Sequence, residues 1–200
     1  MSVKKVYDNR FLKMYDNEHK EGAHYMFASR RNESDLFIMK PDAVSCVTIL
    51  KFPDEEAKLL LSYEYRYPVE KALLSPTAGC MDPDDKSVVE TAIREVYEEL
   101  GLTITENDRV EMINPMVFSS PGMTDESNAL VLCVLNVENE NQINREHIEG
   151  DELFTGYELL TKEQAKEIIQ NGVDKNGIPY PVYTWCALMY FISDMWKENN

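Results

Sequence analysis

Glu95, Glu98 and Glu99 are the residues of this chain whose type and spacing most directly allow chemistry. A helix turns about 100° per residue, so Glu98 lies about 60° to one side of Glu95 and Glu99 about 40° to the other, while the apolar stripe centres near +110°. Three carboxylates therefore share one face. Like charges four residues apart repel on a helix, and Glu95 and Glu99 carry that small cost. A hard divalent cation among them removes it. Mg²⁺ takes carboxylate oxygens, keeps several waters and can polarise a phosphate, and Mn²⁺ accepts a similar oxygen set. The competing reading is a solvated acidic helix face, the commoner meaning of such a run in an acidic protein. Spacing alone does not separate the two.

The element that must carry these acids runs from Ser87 to Leu100, where Val89, Ala92, Ile93, Val96 and Leu100 recur at helical spacing and Gly101 stands at the C-cap position. Strands are expected on both sides of it. Arg10 to Tyr15 and Ala23 to Ser29 read as a hairpin-like opening around a turn at 17–22, and Val44 to Leu50 and Leu59 to Tyr65 read as buried neighbours. Glu111 to Phe118 and Ala129 to Val137 continue the sheet across a loop from Ser119 to Glu126, and Leu153 to Leu160 is a last strand. Lys162 to Gln170 and Val182 to Trp196 carry helical periodicity.

The 200 residues hold 20 Lys and Arg against 36 Asp and Glu, a net charge of −16, so a nucleic-acid partner bound through a basic surface is not expected. With 44% hydrophobic residues the chain is globular. Its strongest apolar stretch, Val182 to Ile192, is well short of the ~20 residues that span a membrane. The first ten residues turn polar before an apolar segment forms, which gives no support for a secretory signal, and a cytoplasmic location is the expectation. Cys46, Cys80, Cys133 and Cys186 form no metal-ligand pattern with His19, His24 or His147 and read as reduced, mostly buried thiols.

Arg94-Glu95-Val96-Tyr97-Glu98-Glu99-Leu100-Gly101-Leu102 resembles the second half of the Nudix box, R-E-U-x-E-E-x-G-U, at every fixed position. Gly79 to Asp85 is similar to the first half, with Asp85 where the family has Glu and one extra residue before Arg94. Glu64-Tyr65-Arg66-Tyr67-Pro68, Ala78-Gly79 and the loop Ser120-Pro121-Gly122-Met123-Thr124-Asp125-Glu126 resemble the ADP-ribose pyrophosphatase branch of the Nudix hydrolases. Ser75-Pro76-Thr77-Ala78-Gly79 departs from that branch's E-L-P-A-G.

The resemblance implies an α/β Nudix fold, a mixed sheet packed between helices, with a small N-terminal β region over residues 1–40 and a hydrolase domain over 41–200. It implies Mg²⁺-dependent hydrolysis of a nucleoside diphosphate linked to another group, with ADP-ribose giving AMP and ribose 5-phosphate. Another nucleotide sugar, a dinucleotide, or a Nudix-fold module that binds without cutting are the alternatives. The metal set carried over is Ala78, through its carbonyl, with Glu95, Glu98 and Glu99. Arg66, Pro121 and Gly122 would hold substrate, and Glu98, Asp151 and Glu152 are the catalytic candidates, with Glu149 a weaker one. A homodimer is implied, its N-terminal strands helping to build the partner's site. His147 reads as an ordinary surface histidine, Tyr25 and Phe27 as strand core with base stacking the rival, and Trp185, Tyr190, Phe191 and Trp196 as core or interface.

Overall fold

The computed structural model describes residues 2–144, 146–147 and 153–197. In chain order the strands are β1 (Ser2–Asp8), β2 (Lys13–Lys20), β3 (Ala23–Ser29), β4 (Ala43–Lys51), β5 (Lys58–Arg66), β6 (Lys71–Ser75), β7 (Thr77–Cys80), β8 (Arg109–Phe118), β9 (Ser127–Asn136) and β10 (Phe154–Leu160). The helices are α1 (Val88–Leu100), α2 (Lys162–Asn171) and α3 (Val182–Ile192). Among the described residues they form a three-stranded sheet, β1-β2-β3, and a seven-stranded sheet ordered β10-β5-β4-β9-β8, with β6 on β5 and β7 on β4.

Parallel neighbours buried on both faces read as unbroken apolar runs, and β4 and β9 behave this way. They pair in parallel from Ala43 opposite Asn128 to Lys51 opposite Asn136, while β4 is antiparallel to β5 and β7. Alternate side chains go to opposite layers. Val44, Cys46 and Leu50 meet Ala92, Val96 and Leu100 of α1 on one face. Val47 and Ile49 meet Ala165 and Ile168 of α2 and Ala187, Leu188 and Phe191 of α3 on the other. The mixed sheet is thus packed between helices, as the expected fold class requires.

Helix ends follow local chemistry. Ser87 caps α1 by accepting the Glu90 amide at 3.2 Å, and Gly101 closes it at φ 67°, a conformation costly for other residues. Thr161 and Gln164 form a capping box on α2.

Three sequence expectations need correction. The first hairpin is longer than expected: β2 starts at Lys13, residues 17–20 are strand, and the turn narrows to Glu21-Gly22, with Gly22 at φ 72°. The reason is register, since Glu18 pairs with His24 and cross-strand pairing overrides the polar composition that suggested a turn. The last helix stops at Ile192, four residues early, and Asp194 takes φ 62°. Trp196 still reaches the core, its Nε1 donating to the Phe191 carbonyl at 3.0 Å. Strands β1, β6 and β7 were not expected: β1 is mostly exposed and lacks alternation, and β6 and β7 are only five and four residues long.

Candidate active site

The carboxylate helix does not present a solvated face. Glu95 is 8% exposed and Glu99 4%, so the reading of all three acids as surface residues is overturned for these two. Val96 and Ala92 drive α1 onto the sheet, and Glu95 and Glu99, next to that stripe, are carried under the strand that precedes the helix. That strand is β7. The Ala78 amide donates to Glu99 Oε1 at 3.1 Å. A side chain at Gly79 would put its Cβ 1.8 Å from Glu95 Oε1, so only glycine lets the Glu95 carboxylate lie flat against the backbone there. Of the expected set Ala78, Glu95, Glu98 and Glu99, the structure thus brings Glu99 to Ala78, through the amide and not the carbonyl, and Glu95 to Gly79.

Arg94 organises the rest. Its Nη1 donates to Glu95 Oε1 at 2.7 Å and to Glu98 Oε2 at 3.0 Å, and its Nη2 donates to Asp85 Oδ2 at 2.9 Å and to the Cys80 carbonyl at 3.0 Å. Asp85 Oδ2 also accepts from the Asp82 amide at 2.9 Å and the Thr91 hydroxyl at 3.0 Å. Hydrogen bonding from Arg94, then the Asp82 amide and Thr91, hold the Asp85 carboxyl well below the usual range, at about 2. The shortened acid still reaches the box arginine, and residues 82–85 close as a turn in which the Asp85 amide donates to the Asp82 carbonyl at 3.1 Å.

The oxygen donors suit a hard cation: carboxylates of Glu95, Glu98 and Glu99, with the glycine cradle holding Glu95 in place. Among the described residues no three His, Cys, Asp or Glu side chains converge as a ready metal cage. Here the guanidinium of Arg94 lies between Glu95 and Glu98 and supplies the positive charge.

The substrate candidates stand on other elements. Arg66, at the end of β5, is half exposed and pairs with Glu64 at 2.5 Å. Pro121 and Gly122 are exposed at the tip of the loop between β8 and β9. The N-terminal sheet holds that loop: the Tyr25 hydroxyl donates to the Gly122 carbonyl at 2.6 Å, the Ala28 amide to the Met123 carbonyl at 2.9 Å, and the Ser29 hydroxyl to Asp125 at 2.9 Å. Tyr25 is thus half exposed and anchored by its hydroxyl, a role its strand position did not suggest. Asp151 and Glu152, with Glu149, lie outside the described residues.

Sequence reasoning missed a partly buried junction that ties these parts together. Arg31 Nε donates to Asp42 Oδ1 at 2.8 Å and its Nη2 to Oδ2 at 3.0 Å, a two-point contact. Asp42 Oδ2 accepts the Ser127 amide at 3.1 Å, and the Asp42 carbonyl accepts the Met81 amide at 3.1 Å. One aspartate therefore links the N-terminal sheet, the start of β9 and the residue after β7. No periodicity or motif marks Arg31 or Asp42, because their pairing, 11 residues apart, and the contact of Asp42 with Ser127 depend on the folded chain. All four cysteines are free thiols; Cys46 and Cys133 are buried, and Cys80 is exposed.

Among the described residues no helix is long and apolar enough to cross a membrane. Nudix hydrolase 14, chloroplastic, of Arabidopsis thaliana is 36% identical over 101 residues, covering 47% of this chain and 33% of that protein. Putative nudix hydrolase 2 of Caenorhabditis elegans is 31% identical over 121 residues, 60% of this chain and 52% of that protein. The matches thus span about a third and about half of these relatives' lengths. A solved structure described as "Crystal structure of ADP compounds hydrolase" superposes with a TM-score of 0.63 at 18% identity, covering 98% of this chain and 91% of that one, a likeness of fold. A family model for the NUDIX domain matches residues 39–179, which takes in the acid-bearing helix, the glycine cradle under it and the sheet that holds both, and the chain belongs to that family.

Proposed function

We propose that this protein is a Mg²⁺-dependent pyrophosphohydrolase that cleaves a nucleoside diphosphate linked to another group, with ADP-ribose, giving AMP and ribose 5-phosphate, the first candidate substrate. The observation that carries the reading is the burial of Glu95 and Glu99 against Ala78 and Gly79. Buried carboxylates are weak contributors to stability, so a loop shaped around them speaks for a role in binding. Glu95, Glu98, Glu99 and the Ala78 carbonyl would hold the cation. When bound, Mg²⁺ would polarise the pyrophosphate and offset the charge that develops as its bridging bond breaks. Arg66 would bind pyrophosphate oxygens after exchanging its contact with Glu64 for the substrate's stronger charge. Glu98, Asp151 and Glu152 remain the candidates for orienting the attacking water.

The nudix hydrolase relatives support hydrolase chemistry, and the "ADP compounds hydrolase" neighbour favours an adenosine diphosphate derivative. We place the activity in the cytoplasm, in a homodimer. Val6, Tyr7, Phe11, Leu12 and Met26 leave apolar surface on the N-terminal region, which suits a second copy, while β3 also docks the substrate loop of its own chain. A specific observation favours a second reading, a nucleotide-binding module without turnover: Arg94 already bridges Glu95 and Glu98. The deciding experiment is a phosphate-product screen of ADP-ribose, nucleotide sugars and dinucleotides with and without Mg²⁺. Mg²⁺-dependent AMP release from ADP-ribose supports the proposal. Nucleotide-dependent thermal stabilisation without product would favour the binding module.

A further inference from the structure

Arg66 and Lys71 face each other at the turn end of the β5–β6 hairpin, where they are direct partners in its antiparallel register. Residues opposite each other across two strands point to the same face, with Cβ atoms about 5 Å apart. Alternation fixes which face this is. Tyr63, Ala72 and Leu74 pack towards α2 and α3, and Leu60 packs towards α1, so Glu64, Arg66, Lys71 and Leu73 lie on the α1 side. Two cations therefore stand side by side on the side of the sheet where α1 holds Glu95 and Glu99.

Stability does not call for this pair, because like charges directly opposite each other on two strands repel. Arg66 is compensated by Glu64 at 2.5 Å. Lys71 is exposed and, among the described residues, has no ion-pair partner, the neighbouring Glu70 included. The turn that brings the two cations together is itself costly. Glu70 closes it at φ 51°, with its amide donating to the Tyr67 carbonyl at 3.3 Å. The left-handed region disfavours residues other than glycine, and strain of this kind gathers at binding sites, where a fixed geometry is needed.

We propose that Lys71 is a second substrate-binding cation, which takes the diphosphate of the substrate together with Arg66, so that the like-charge pair is relieved in the complex. The inference rests on the nucleoside diphosphate reading above. Arg66 exchanges Glu64 for phosphate oxygens, and its planar guanidinium fixes their direction. Lys71 adds a compact ammonium on a flexible stem, whose three donors follow the remaining oxygens. An ionised diphosphate meets both cations, whereas an uncharged nucleoside or sugar gains nothing from either.

The test separates binding from stability on the full chain with Mg²⁺ and the nucleoside diphosphate compound that the wild type takes. Lys71→Ala should raise KM about tenfold with kcat within about threefold, or raise Kd by the same factor if the compound is bound and not cut. Lys71→Arg keeps the charge and should stay within about threefold of wild type. In Lys71→Glu an acid stands opposite Arg66 and repulsion becomes attraction, so the melting temperature should rise by about 1–3 °C while KM rises at least as far as in Lys71→Ala. A lysine that served only the fold would do the reverse, lowering the melting temperature and leaving KM where it was. Unchanged KM and Kd in Lys71→Ala, a loss in Lys71→Arg as large as in Lys71→Ala, or a lowered melting temperature in Lys71→Glu would each overturn the second cation while leaving the hydrolase reading intact. A wild type that neither binds nor cuts any nucleoside diphosphate compound would instead remove the hydrolase reading, and this inference with it.

Discussion

Helices α1 and α3 pack on opposite faces of one sheet and bury polar groups in different ways. On α3 the buried polar residue is Thr184, whose hydroxyl donates to the Leu74 carbonyl at 2.6 Å; its neighbours Ala187, Leu188 and Phe191 are apolar. Such a group is neutral, is satisfied once, and serves the packing. On α1 the buried polar residues include two carboxylates, Glu95 and Glu99, set against a guanidinium and the backbone of a four-residue strand. Removing charge from water costs several kcal/mol per ion even when it is paired. Both faces of the sheet carry apolar core, and the α1 face carries in addition a charge arrangement that stability does not explain.

The comparison is tested hardest at α1. Glu95→Gln or Glu99→Gln keeps shape and one acceptor oxygen while removing charge, and should lower kcat/KM by at least about a hundredfold, roughly 2.7 kcal/mol. The melting temperature should stay within a few degrees of wild type. Full activity in either variant would make the buried acids of α1 structural, as Thr184 is. The converse variant lies on α3. Phe191→Ala empties a fully buried site next to Trp196 and should cost about 3–5 kcal/mol of stability in urea unfolding, with kcat per folded molecule unchanged.

Gly79→Ala joins the two ideas. The new Cβ would stand 1.8 Å from Glu95 Oε1, so the carboxylate must leave its cradle, and turnover should fall about tenfold or more, 1.4 kcal/mol in transition-state terms. Melting curves beside the kinetics would show whether activity drops further than stability.

The smallest effect concerns pH. Asp85 is held at about 2 in the folded chain, against about 3.9 for a free aspartate. Its folded pKa is depressed, so its contribution to stability is fully present above about pH 4 and is lost as pH falls towards 2. Urea midpoints of wild type and Asp85→Asn should therefore differ by a constant amount above pH 4 and converge below it. Parallel curves down to pH 2.5 would count against the Arg94–Asp85 pairing.

Much of the fold was legible because it is encoded by near neighbours. The stripe of Ala92, Val96 and Leu100, the start at Ser87 and Gly101 defined α1 within a residue of its observed ends, and the apolar runs around Cys46 and Cys133 marked two strands that the structure pairs in parallel at the centre. The acids Glu95, Glu98 and Glu99 were placed on one face by the helical period alone. The order of the first hairpin, by contrast, depended on pairing across strands, and β6 and β7 were too short to carry a period of their own.

What α1 meets was decided by tertiary structure. A helical wheel assigns a direction to Glu95 but not the Gly79 backbone that lies there, nor the Ala78 amide on Glu99. Sequence shows that Asp85 is one methylene shorter than the family's acid; only the folded loop shows that it still meets Arg94. The Arg31–Asp42 junction and the docking of Tyr25 on Gly122 join residues 11 and 97 positions apart. Periodicity and capping arise from residues within one or two turns of each other, so they can be read along the chain, whereas these contacts exist only because the packed sheet brings distant segments to the same place.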